Sequence, residues 1–209
     1  MKADNNTSKI YWLGGSTCAG KTTISNILSE KYGFFVYHCD EYLAKHIGES
    51  NAQEHPNLNR VTTISWNDIL SMKVEEYLKW TIGLFKEEFK MILEDLHKFS
   101  DGKPILVEGV GLLPELVYNE ISDIDHAIWI VADELFYKGH QMERKELFER
   151  IRECSNPEQA LENYANNDLA MGRYIINDAN RLGLSVIEIG INCEIAKSVE
   201  TISSYFKLG

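Results

Sequence analysis

Gly15-Ser16-Thr17-Cys18-Ala19-Gly20-Lys21-Thr22 is the stretch on which the fold turns. It matches the pattern G-x-x-x-x-G-K-[ST] in full, and each fixed position answers a physical need. The glycines allow a backbone that winds back on itself, so that successive N–H groups converge on one anion. The positive end of a following helix adds to that field. Lys21 has the reach for the β- and γ-phosphates of a nucleotide, and the Thr22 hydroxyl is a hard oxygen suited to Mg²⁺. With Thr23, the eight loop residues form the set expected to touch the nucleotide. Both flanks agree. Ile10-Tyr11-Trp12-Leu13 reads as a strand entering the loop, while Lys21 to Lys31 carries Ile24, Ile27 and Leu28 at helical spacing and stops before Gly33. A glycine-rich turn with an incidental lysine is the plain alternative, and it does not require those flanks.

Working outward, further short apolar runs at 34–38, 104–107, 126–131 and 185–189 are rich in β-branched or aromatic residues. Each ends at a turn-prone or acidic residue, and helix-like stretches separate them. This alternation predicts an α/β domain built on a parallel sheet. A single amphipathic helix is expected over about 68–99, with Tyr77, Leu78, Thr81, Leu84, Phe85, Phe89, Ile92, Leu93 and Leu96 as its apolar stripe and Gly83 marking a bend or close packing point. Residues 44–67 are polar, contain Pro56 and lack sustained periodicity, so they are taken as part of an insertion of about 41–100 over the carboxyl edge of the sheet. A second zone expected to be irregular, about 136–152, carries Lys138, Arg144, Lys145, Arg150 and Arg152 and lies within a candidate lid of about 136–156. Helices are expected over about 157–182 and 193–206, and the chain as a whole, 1–209, is read as one domain.

Composition narrows the function classes. Apolar residues at 44% and charged residues at 25% supply both a core and a polar surface. The net charge of −11 comes without a basic stripe, which argues against a nucleic-acid partner. No apolar run approaches the roughly 20 residues of a membrane-spanning helix. Met1 to Ser8 is polar and unlike a signal peptide, so a cytoplasmic location is expected. Cys18, Cys39, Cys154 and Cys193 show no C-x-x-C or zinc-like spacing and are expected to be reduced. A GTPase should carry N-K-x-D to read guanine, and that tetrapeptide is missing from the sequence. Motors and AAA-type machines need larger domains than 209 residues provide.

Taken together, Gly14 to Thr23, Asp40-Glu41 after the second run, Val107-Glu108-Gly109 after the third and the basic segment around Arg144 resemble small-molecule kinases of the P-loop superfamily. The nearest group is shikimate kinase-like, gluconate kinase-like and chloramphenicol phosphotransferase-like, within the nucleoside and nucleotide kinase fold. The segment Glu162 to Asp168 is similar to a helix in bacterial kinases of this type. This resemblance implies a three-layer α/β/α P-loop NTPase fold with five parallel strands ordered 2-3-1-4-5. It also implies Mg²⁺ and ATP, with GTP as the other donor the loop admits, and a small-molecule acceptor.

Sites in open α/β sheets cluster at the carboxyl ends of the strands. Asp40 is therefore the candidate to orient or deprotonate an acceptor hydroxyl, or to meet a metal-bound water; an ordinary helix N-cap is the alternative. Glu108 is the candidate to support Mg²⁺ beside Thr22, against a simple turn carboxylate. Gly109 and Gly111 would let the backbone pass close to an acceptor. Arg144 is the candidate to close on the γ-phosphate, against exposed pairs with the neighbouring Glu143, Glu146, Glu149 and Glu153. Arg60 is the candidate to bind an acidic group of the acceptor, His38 is read as core or cleft wall, and Trp66 as an anchor for the long helix. The adenine base is expected to meet Arg144 and the loop near 190–192. The leading function is a Mg²⁺-ATP-dependent kinase of a small hydroxyl compound. A nucleotide-binding module that transfers nothing, or hydrolyses ATP slowly, is the alternative. A kinase with a phosphate acceptor is the third reading, against which stands the shortage of bases in 44–67, where only Lys45 and Arg60 occur.

Overall fold

The computed structural model describes residues 9–99, 102–141 and 145–209. Five parallel strands form one sheet: β1 (Ile10–Gly15), β2 (Phe35–His38), β3 (Ile105–Gly109), β4 (Ala127–Ala132) and β5 (Ser185–Ile189), in the order β2-β3-β1-β4-β5. This is the expected order, with β1 at the centre. Alternation of side chains along the strands divides the core in two. Tyr11, Leu13, Leu106, Ile128 and Ile130 face α1 (Lys21–Tyr32) and α10 (Ile195–Tyr205), packing with Ile24, Leu28, Val199 and Ile202. Trp12, Val107, Trp129 and Val131 face the opposite layer, which includes α5 (Val74–Leu96) and α9 (Pro157–Leu182).

The insertion is more helical than its pattern suggests. Cys39–Glu49 forms α2 and Pro56–Arg60 forms α3. The buried residues of α2 are Cys39 and His46, so its inward face is too polar to register as an apolar stripe. The short α3 owes its start to a neighbour: the Glu87 carboxylate accepts the backbone N–H groups of Asn57 and Leu58 at 2.9 and 2.8 Å, a cap supplied from α5.

The expected single helix over 68–99 is two helices, α4 (Trp66–Leu70) and α5. Serines set the break. Ser65 caps α4 by accepting Asp68 N–H at 3.1 Å, and the Ser71 hydroxyl donates back to Asn67 O at 2.6 Å where α4 ends. The apolar stripe nevertheless points inward, with Leu84, Phe85, Phe89, Ile92 and Leu96 all buried. Gly83 is a packing point, because an added Cβ would stand 2.8 Å from Asn57 Nδ2 of the crossing α3.

In the zone expected to be irregular, α7 (Glu134–His140) and α8 (Lys145–Arg152) are helical, and Asp133 caps α7 by accepting Phe136 N–H at 2.7 Å. The short α6 (Pro114–Val117) follows β3. Asn156 caps α9, and Gly183, at φ 70°, ends it in the left-handed conformation that glycine adopts without penalty.

Candidate functional site

The glycine loop joins the central strand to α1, and its shape follows from close backbone contact. Gly15 has φ 135°, and a Cβ there would run into the carbonyl oxygen of Ile130. Ser16 pins the loop to β4: its N–H donates to Ile130 O at 3.0 Å, and its hydroxyl oxygen accepts Ala132 N–H at 2.9 Å. Cys18 holds φ 62°, a left-handed conformation uncommon outside glycine. Lys21 folds its ammonium back into the turn and donates to Ser16 O at 2.8 Å. Gly20, at φ 85°, precedes α1, whose start has no side-chain cap and so leaves first-turn N–H groups for another acceptor.

Parallel register sets the acids beside this loop. Glu108 pairs with Leu13 on one side and His38 on the other, which brings three strand ends into one row. It is 5% exposed. One carboxylate oxygen accepts the Thr22 hydroxyl at 3.0 Å and meets His38 Nδ1 at 2.7 Å. Asp40 lies in the first turn of α2, where the N-cap position belongs to His38. Burial lowers the pKa of Lys21, and the charges of Glu108, Asp40, Cys18 and Asp168 oppose that shift. The lysine thus lies in the field of carboxylates from β3, α2 and α9.

Thr22 and Glu108 present two hard oxygens 3.0 Å apart at the mouth of the loop. Mg²⁺ takes oxygen ligands and keeps several waters, so such a pair fits it once phosphate oxygens are present. No group of three or more His, Cys, Asp or Glu side chains among the described residues forms a metal cage.

On the side where an acceptor is expected, the chain leaves β3 through Gly109 and Gly111. A Cβ on Gly109 would lie 2.7 Å from Cys39 Cβ, and one on Gly111 would lie 3.0 Å from Phe85 Cδ1. These glycines therefore let α2 and α5 close over the strand exit. The Arg60 guanidinium lies 5.3 Å from the centre of the Trp80 ring. Arg150 lies similarly over Trp66, at 4.8 Å, so the residue expected to anchor the long helix also holds a base of α8. Arg144 lies outside the described residues. Beside the loop after β5, a cavity of about 390 Å³ is lined by Asp133, Gly190, Ile191, Asn192 and Lys197, where the base is expected.

Three features escaped the sequence. His38 is bound to Glu108 rather than merely lining a wall. Asp168, from α9, accepts the buried Tyr137 hydroxyl at 2.9 Å and acts on Lys21. Under α2, a polar network runs through the core: His46 meets Glu88 at 3.5 Å and Asp95 at 3.2 Å, while Lys45, Lys98 and the Tyr37 hydroxyl also donate to Asp95. The signal for Glu88 was present, since its spacing from Leu84 and Phe85 sets a charge on the apolar stripe.

Sheet order, loop and flanking helices define a three-layer α/β/α protein of the P-loop NTPase fold. Solved structures share that architecture across nearly the whole chain. TT1252 from Thermus thermophilus matches at TM-score 0.54 and 13% identity, over 97% of this chain and 98% of its own. An uncharacterized protein from Eubacterium ventriosum matches at 0.52 and 14%, over 96% and 98%. A gluconokinase from Sinorhizobium meliloti matches at 0.50 and 11%, over 96% and 92%. At these identities the likeness is one of fold. No family model matches the sequence, and no curated protein does.

Proposed function

We propose that the chain is a kinase that moves the γ-phosphoryl group of ATP to a hydroxyl of a small molecule. The observation that carries this is the convergence of two acids on the loop lysine, Glu108 at the end of β3 bonded to Thr22 and Asp40 in the first turn of α2 within the field of Lys21. Loop N–H groups between Thr17 and Thr23 hold the phosphates, and Lys21 neutralises charge on the β- and γ-phosphates. Asp40 accepts the acceptor's proton as its oxygen bonds to the γ-phosphorus and the bond to the β-phosphate oxygen breaks, releasing ADP. Bound Mg²⁺ would supply charge neutralisation at the phosphates, with Thr22 and Glu108 to hold it. His38 keeps Glu108 turned toward Thr22, and Arg144 is assigned closure on the γ-phosphate.

The gluconokinase with the same fold acts, by its name, on a hydroxyl-bearing small molecule, which is consistent with this class of acceptor. The test is an ATP-consumption screen against a metabolite library, with Lys21→Ala as blank and Asp40→Asn as probe. Asp40→Asn is expected to lower kcat about 10²–10³-fold while nucleotide affinity stays within about twofold. Full activity in that variant would remove the base from the scheme. Tight ATP binding with no turnover across the library would favour the module that binds without transfer.

A further inference from the structure

Asn167, in the middle of α9, is 2% exposed. Neither its Nδ2 nor its Oδ1 meets a hydrogen-bond partner among the described residues. Turning the carboxamide over changes nothing, because both ends are bare. Buried polar groups in folded proteins are nearly always bonded, and one left bare costs free energy comparable to a lost hydrogen bond. The neighbours of Asn167 on the helix obey that rule. Asn163 donates Nδ2 to Leu70 O at 2.6 Å, the Tyr174 hydroxyl donates to the Glu115 carboxylate at 3.2 Å, and Asp178 accepts Glu115 N–H at 2.9 Å.

Steps of four, seven and four separate residues 163, 167, 174 and 178, so they share one face of α9. The partners of that face locate it. Asn163 is bonded to α4, and Tyr174 and Asp178 are bonded to α6, which follows the exit of β3. Asn167 therefore lies between the insertion and the strand end that carries Glu108. Another face of the same helix packs on the phosphate loop, where a Cβ on Gly172 would stand 3.7 Å from Ser16 Cβ. Gly172 is five residues from Asn167, about 7.5 Å along the helix axis.

Resting on the kinase reading above, we propose that Asn167 binds the acceptor, its carboxamide pairing with a neutral group that donates and accepts at once, a pair of hydroxyls or an amide edge. A carboxylate or phosphate offers acceptor atoms alone and would leave Oδ1 facing another acceptor. An ammonium would leave Nδ2 facing a donor. Polar atoms that are bare until the ligand arrives discriminate strongly against compounds lacking the matching group. Access is assigned to α4, a five-residue helix tied down by the Asn163 bond and by Ser155 N–H, which donates to Asn67 Oδ1 at 2.9 Å.

The test offers the intact chain, with Mg-ATP, glucose, gluconate, myo-inositol and uridine, and reads ADP release and product mass. For a compound that reacts, Asn167→Leu is expected to raise the acceptor KM at least about tenfold and leave the KM for ATP within about twofold. The same variant is expected to raise the Tm by about 2–4 °C, because two bare polar atoms give way to apolar ones at nearly equal volume. A gain in stability joined to a loss of acceptor affinity is a split that a purely structural role would not give. Asn167→Ala serves if leucine does not pack, and its loss should likewise be confined to the acceptor. 2-Deoxyglucose beside glucose, and 2′-deoxyuridine and 3-methyluridine beside uridine, separate the hydroxyl pair from the amide edge. At least one analogue of the reacting compound should be about tenfold poorer than its parent in the native chain, and equal to it in Asn167→Leu. An acceptor KM that neither variant moves, or the native preference persisting in the variants, overturns the proposal and leaves the kinase reading standing. If neither these compounds nor the metabolite library are phosphorylated although Lys21-dependent ATP binding persists, the kinase reading falls and this proposal with it.

Discussion

The two halves of the candidate site are built in opposite ways. The phosphate half comes from one unbroken run, Gly15 to Thr22, and works largely through backbone shaped by glycine and pinned to β4 by Ser16. The proposed acceptor side draws on separate elements, Asp40 on α2 and Glu108 on β3, and rests on side chains, with Glu108 buried and bonded to Thr22 and His38, while His46 on α2 is tied to Glu88 and Asp95 on α5. A backbone site tolerates change in its side chains provided the chain path is kept. A side-chain network depends on the packing of every helix that contributes to it.

That contrast can be broken by experiment. The largest effect belongs to Lys21→Ala, which should lower turnover about 10³-fold and leave the fold intact, measured as ADP release beside the thermal transition. His46→Leu should do the reverse. It removes the partner of buried Glu88 and one donor to Asp95, and should cost about 3 kcal/mol in denaturant unfolding while ATP affinity, titrated under native conditions, changes little. A loss of ATP affinity matching that of Lys21→Ala would show that the halves are not separable.

The pH dependence sharpens the same point. Burial opposes protonation of His46, but its bonds to Glu88 and Asp95 outweigh burial and raise its pKa above the ordinary value. The folded state therefore holds this proton more tightly than the unfolded chain. The contribution is complete below the unfolded pKa of about 6.5 and is lost as pH rises through the folded value. Glu88, also raised, has the same sign. Asp95 has the opposite sign: burial is outweighed by bonds from Lys45, Lys98 and His46, so its carboxyl sits well below the usual range and its contribution is lost only in acid. The Tm should fall as pH rises above about 6.5, and His46→Gln should flatten that slope. The smallest effect is expected for Arg60→Ala, about 0.5–1 kcal/mol from the lost contact with Trp80, with the acceptor KM unchanged.

How far the sequence could be read follows the same division. The loop was legible because its meaning is local: eight adjacent residues carry the geometry. Strand order came through the resemblance those residues share with known kinases, and β1 through β5 lie in that order. Asp40 and Glu108 stood out as acids closing apolar runs. The break between α4 and α5 did not, because Ser71 ends a helix by bonding its own turn and leaves the apolar period intact on both sides. Nor did α2, whose buried face is a cysteine and a histidine. His38 was legible as a position, but its bond to Glu108 depends on parallel register between strands that lie 70 residues apart in sequence. Arg60 was chosen for its charge alone, and the ring that holds it comes from a helix whose crossing point only the fold supplies.

The contact between His46 and α5 has a mechanical consequence. Glu88 and Asp95 are seven residues apart, about two turns, and therefore share a face of the helix. One imidazole engages both through its two nitrogens. Sliding α2 along α5 by a single residue, about 1.5 Å, would strain one bond as it shortened the other. The imidazole acts as a key that admits one register. Any motion of α2 along this face must then carry α5 with it as a rigid panel, with the bending left to the chain segments at its edges.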